Sequence, residues 1–210
     1  MYVGIDSSHQ LRYSFMVSGR FSEMTRFYDC MEKFLRRNKI NSPFHWTKIS
    51  RKVKETTIKD IFEEFKKGKL HFLVIHHPRP RGYEKKNFYH TLLTNQISKI
   101  LENWLRNKYG SVTLEVDDDY NVGKGHNTFK FTKNILQQIT FRLVGAPVKI
   151  ITNHKIRATI KQNNKFILEF YGGVSNIKES RGIQIADVIG GYIISNKIKE
   201  DKQNIFFIKL

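Results

Sequence analysis

Residues 70–76 read Leu-His-Phe-Leu-Val-Ile-His, an apolar run of strand length that follows a glycine at position 68. A strand that faces water on one side alternates apolar with polar residues, whereas an apolar run marks a strand covered on both faces. Such a strand needs a layer above and a layer below, and helices are the usual covers. The rest of the sequence supplies them. Met24, Phe27, Tyr28, Met31, Phe34 and Leu35 recur at three- and four-residue spacing and predict an amphipathic helix over 22–37. Val53, Ile58, Ile61, Phe62 and Phe65 predict a second over 52–67, stopped by Gly68. Further helices are expected over 87–108, 128–142 and 181–198.

Strands are expected at 2–6 and 11–18, joined as a hairpin by a polar Ser-Ser-His turn, and at 112–116, 147–152, 165–171 and 204–209. A hairpin followed by helices alternating with strands predicts an α/β fold, a mixed β-sheet flanked by α-helices. No repeat, low-complexity tract or Gly/Ser/Pro-rich linker divides the 210 residues, so a single domain over 1–210 is expected. Sixteen Phe and nine Tyr suit a packed core. No apolar run approaches the roughly 18 residues of a membrane span, which argues against a membrane partner. The chain opens on a strand-like MYVGIDSS without the features of a secretory signal. The single cysteine, Cys30, excludes an internal disulfide framework and favours a reducing compartment. A cytoplasmic protein is the expectation.

Charge narrows the choice of partner. Thirty-seven Lys and Arg against nineteen Asp and Glu leave +18. So large an excess repels itself in a compact state and suits a polyanion, which points to DNA or RNA. A general lysine bias is the plain alternative. Lys48, Arg51, Lys52 and Lys54, then Arg79, Arg81, Lys85 and Lys86 around two prolines and Tyr83, then Lys124 and Arg181, are candidate phosphate contacts. Lys155, Arg157, Lys161 and Lys165 add a later basic stretch. Any one cluster alone reads better as a solvated surface, and only together with the net charge do they point to a polyanion.

Against this basic background, Glu115, Asp117, Asp118 and Asp119 form one dense acidic site, at the carboxyl end of a strand where open α/β sheets bind ligands. Glu115 and Asp117 share a strand face. Crowded carboxylates repel unless a cation compensates, and their hard oxygens suit magnesium or manganese. An Asp-rich turn is the alternative. Asp6 ends an apolar first strand on the same face as Gly4, where glycine leaves room for close approach. Asp187 lies in an apolar, small-residue helix, one face of which carries Gln184, Asp187 and Gly191. Three acids from a first strand, a central strand and a last helix suggest a two-metal phosphodiester site. Asp6, Asp117 and Asp187 are then candidate metal ligands, Asp118 or Glu115 supports them, and Gln184 stands behind them or faces substrate. His45, between Phe44 and Trp46, could act as a base, hold a phosphate, or simply pack. His76 and His77 are weaker candidates, and the lack of regular Cys/His spacing argues against zinc.

Four blocks carry a family resemblance: Tyr2-Val3-Gly4-Ile5-Asp6-Ser7-Ser8, Phe44-His45-Trp46, Leu114-Glu115-Val116-Asp117, and Ser180-Arg181-Gly182-Ile183-Gln184-Ile185-Ala186-Asp187. In this order they resemble the domain-of-unknown-function family 3800 of the RNase H-like superfamily. The chain has Ser7 where that family has Glu, and Pro43 where it has an acid two residues before the histidine. The resemblance implies an RNase H-like fold and a metal-dependent nuclease or related phosphoryl-transfer enzyme. Two other functions remain open: a nucleic-acid-binding protein without hydrolysis, and a scaffold protein of a defence or mobile-element system.

Overall fold

The computed structural model describes residues 2–7, 13–76, 91, 94–100, 102, 111–117, 134, 137–138, 155–162, 165–175, 180–201 and 203–209. The described strands are β1 (Tyr2–Ser7), β2 (Tyr13–Gly19), β3 (His71–His76), β4 (Ser111–Asp117), β5 (Lys155–Gln162), β6 (Lys165–Ser175) and β7 (Ile205–Lys209). They form one mixed sheet in the order β5-β6-β4-β1-β2-β3-β7. β1 pairs antiparallel with β2, which pairs antiparallel with β3. β1 runs parallel to β4, β4 to β6 and β3 to β7, while β5 returns antiparallel along β6. The described helices are α1 (Phe21–Arg37), α2 (Arg51–Glu55), α3 (Thr57–Lys67) and α4 (Arg181–Ser195), with a short 3-10 turn at Trp46–Lys48. The fold is mixed α/β. Among the described residues no helix is long and apolar enough to cross a membrane.

Local chemistry accounts for the elements. Glu23 in the first turn of α1 reaches back to the Arg20 N–H at 3.0 Å, and Arg36 and Arg37 close the helix at its negative end. Its buried stripe is Met24, Phe27, Tyr28, Met31 and Leu35. The single helix expected over 52–67 is two helices that break at Thr56. There the Thr56 hydroxyl donates to the Lys52 carbonyl at 3.0 Å, a back-bond that competes with the helical ladder and bends the chain.

One sheet face carries Tyr2, Phe15, Val17, Phe72, Val74 and Ile205, and packs with α1, α3 and α4 in one core. Val3, Ile5, Met16, Leu73 and Ile75 alternate with them and are also buried, so β3 and its neighbours are covered on both faces. Sequence analysis missed β5. Its charge makes it read as a basic stretch, although Ile156, Ala158 and Ile160 alternate with Arg157, Thr159 and Lys161 as a strand pattern does. Residues 91, 94–100 and 102 within the expected 87–108 helix are helical, as are 134 and 137–138 within 128–142. The remainder of those two segments, and the expected strand at 147–152, lie outside the described residues.

Candidate functional site

The β1–β4 register places Gly4 opposite Glu115 and Ile5 opposite Val116. One residue further, that register sets Asp6 beside Asp117, on strands about 4.8 Å apart. Both side chains are buried, at 4% and 7% exposure. The strands are parallel, so both acids lie at carboxyl ends, where an open α/β sheet forms its ligand crevice. Two ionised carboxylates at this spacing repel, and a divalent cation that takes oxygen ligands would answer both at once.

Helix α4 lies on the same face. Gly4 and Gly182 meet backbone to backbone, and a Cβ on Gly4 would stand 2.4 Å from the Gly182 carbonyl carbon. Ser180 caps α4, its hydroxyl oxygen accepting from the Ile183 N–H at 3.1 Å. The same hydroxyl donates to Glu115, as does that of Tyr2. Burial, and then the Glu115 carboxylate, push the Tyr2 hydroxyl far above its ordinary range, so it remains a donor. Glu115 therefore fastens β1, β4 and the positive end of α4 together. Arg181 starts the helix with its guanidinium 5.3 Å from the Tyr28 ring centroid.

One turn along α4, Gln184 is 2% exposed. Its side-chain oxygen accepts from the Phe44 N–H at 2.9 Å, the Tyr28 hydroxyl at 3.1 Å and the Ser42 hydroxyl at 3.4 Å. Gln184 holds the 42–46 loop. Removing a buried acceptor leaves its donors unsatisfied, at roughly 1–3 kcal/mol for such a group. Gln184→Ala is expected to lose about that much stability in urea unfolding, with cooperativity retained.

Asp187 grips the other end of the loop. Its Oδ2 accepts from the Trp46 N–H at 3.0 Å and lies 3.3 Å from Nδ1 of His45. The Trp46 ring occupies the space where a Cβ on Gly191 would be. The Lys54 ammonium sits 4.2 Å over that ring. Burial pushes the Lys54 pKa down, while Asp187 draws it up.

The three acids expected to converge therefore do so only in part. Asp6 and Asp117 are neighbours, but among the described residues no three His, Cys, Asp or Glu side chains are grouped to hold a metal. Asp187 is instead engaged by His45 and the Trp46 backbone. Lys48 and Lys52 are exposed. Arg51 is exposed as well, with its guanidinium paired to Glu55 at 2.8 Å. His76 stacks on Tyr13 at 4.8 Å between ring centroids, a packing role. Asp118, Asp119, His77, Arg79, Arg81, Lys85, Lys86 and Lys124 lie outside the described residues. Sequence reasoning passed over Tyr2, Tyr28, Ser42 and Ser180 as members of this network. Ser180 had a legible signal, a serine directly before a helical pattern. The others become partners only through contacts distant in sequence. Comparison with protein-family models, with curated proteins and with solved structures gave no match.

Proposed function

We propose that this chain is a divalent-metal-dependent nuclease, or a related phosphoryl-transfer enzyme, acting on DNA or RNA from an RNase H-like fold. The observation that carries the reading is the β1–β4 register, which sets the buried Asp6 beside the buried Asp117 at adjoining carboxyl ends of parallel strands. The order β3-β2-β1-β4, with β2 antiparallel to its neighbours, supports the RNase H-like comparison, as does the resemblance to domain-of-unknown-function family 3800. A departure is the set of helices α1–α3 between β2 and β3, where a simple hairpin would suffice. Asp6 and Asp117 are the side chains that would hold magnesium or manganese, with Asp118 next in the chain. A bound cation supplies Lewis-acid activation of water and steadies charge on phosphoryl oxygens. Glu115 and α4 fix the two strand ends, and exposed Lys48 and Lys52 contribute to a net charge of +18 that attracts the backbone.

A non-catalytic nucleic-acid-binding protein is the second reading. The engagement of Asp187 by His45 and the Trp46 backbone favours it. The test is to incubate the full chain with end-labelled DNA and RNA, with magnesium or manganese and with chelator, and to follow binding across a salt series. Metal-dependent cleavage is expected, with affinity falling steeply as salt rises. Binding without cleavage transfers the case to the second reading. An affinity unchanged between low and moderate salt overturns both.

A further inference from the structure

The chain on either side of His45 is fixed, and the imidazole is what it displays. Phe44 is wholly buried with its N–H held by Gln184. The Trp46 N–H is held by Asp187, and its ring packs on Gly191 and meets the Lys54 ammonium. Gln184 and Asp187 stand three residues apart on α4, so one helix face grips the backbone before and after His45. The His45 side chain keeps 26% of its surface exposed, and its Nδ1 lies 3.3 Å from Asp187 Oδ2. A carboxylate at one ring nitrogen fixes the ring orientation and leaves Nε2 for an outside partner.

The surroundings define that partner. Lys54 neighbours the same carboxylate, and Lys48 ends the turn that begins at Trp46. The Asp187 carboxylate is taken up by His45 and the Trp46 N–H, and the further charge around the displayed imidazole is the positive charge of Lys48 and Lys54, which attracts an anion. We propose that His45 is a phosphate-contact site. With Nδ1 turned to Asp187, its Nε2 edge meets a non-bridging oxygen of a nucleic-acid phosphate, and Lys48 and Lys54 add charge. Asp187 is then a positioning residue for His45. This assignment rests on the nucleic-acid reading above for the source of the phosphate.

The test uses full-length protein with isotopically labelled histidines assigned through the backbone. It is titrated in metal-free buffer with a short single-stranded DNA and, separately, with inorganic phosphate. The His45 Nε2 resonance is expected to move along the DNA binding isotherm, and His45→Gln to weaken DNA affinity about tenfold, the order expected for one charged hydrogen bond. DNA binding that leaves the resonance unmoved overturns the phosphate site and leaves the nucleic-acid reading intact. A response to inorganic phosphate without DNA binding keeps the site and overturns the nucleic-acid reading. Silence to both overturns both. The wild-type titration decides even if His45→Gln fails to fold.

Discussion

Asp6→Asn and Asp117→Asn are each expected to reduce magnesium- or manganese-dependent cleavage about a thousandfold or more while leaving nucleic-acid affinity nearly unchanged. Asn keeps the shape of Asp but loses the charge that holds a hard cation. The Lewis-acid contribution of such a cation is worth several kcal/mol, and about 1.4 kcal/mol corresponds to a factor of ten in rate. Affinity survives because the phosphate contacts come from separate Lys and Arg side chains. The two acids lie side by side and act as a unit, so the double variant should lose little more than either single one. Thermal unfolding gives an independent readout. A cation bound only by the folded state raises the melting temperature of the wild type, and each Asn variant should lose that rise. Full cleavage in either variant, or a metal-induced shift that persists in both, removes Asp6 and Asp117 from the site.

How much of this was legible in the sequence depended on the range of the interaction. The 70–76 run became β3, buried on both sides, because its pattern is local and its meaning is steric. Helix α1 followed its periodicity in the same way. Asp6 and Asp117 were correctly placed on adjoining strands, because both end apolar strand patterns and the fold class places such ends together. What the pattern did not disclose was competition for the same side chains. Gln184 and Asp187 sit on one helix face as their spacing requires, but that face meets the 42–46 loop, which is 138 or more residues earlier in the chain. Nothing local in either segment announces the pairing. Glu115 was read as acidic chemistry because it lies within a run of carboxylates, yet its partners Tyr2 and Ser180 come from two other elements. β5 failed for a different reason: its basic residues drew attention to charge and hid the alternation beneath it.

The largest expected effect on folding is at Gly4, where the smallest possible substitution, Gly4→Ala, should be strongly destabilising. The added methyl would meet the Gly182 carbonyl carbon at 2.4 Å and the Gly182 Cα and oxygen at 2.7 Å. These are backbone atoms, so no rotamer change can relieve the contact. Helix α4 would have to lift from β1. Lifting it pulls Ser180 from Glu115 and loosens the grip of Gln184 and Asp187 on the 42–46 loop. Overpacking of this kind costs typically about 1–3 kcal/mol and occasionally more, and the linked hydrogen bonds place Gly4→Ala at or above the top of that range. Gly191→Ala is the informative contrast. Its methyl would meet the root of the Trp46 ring at 2.2 Å, a side chain rather than the backbone of a neighbouring element. Alanine also gains up to about 1 kcal/mol of helix propensity over glycine, which offsets part of the cost of displacing the ring. Gly191→Ala should therefore lower the urea midpoint less than Gly4→Ala does, while shifting the resonances of Trp46 and His45. If Gly4→Ala unfolds at the wild-type urea midpoint, α4 does not sit on β1 as described.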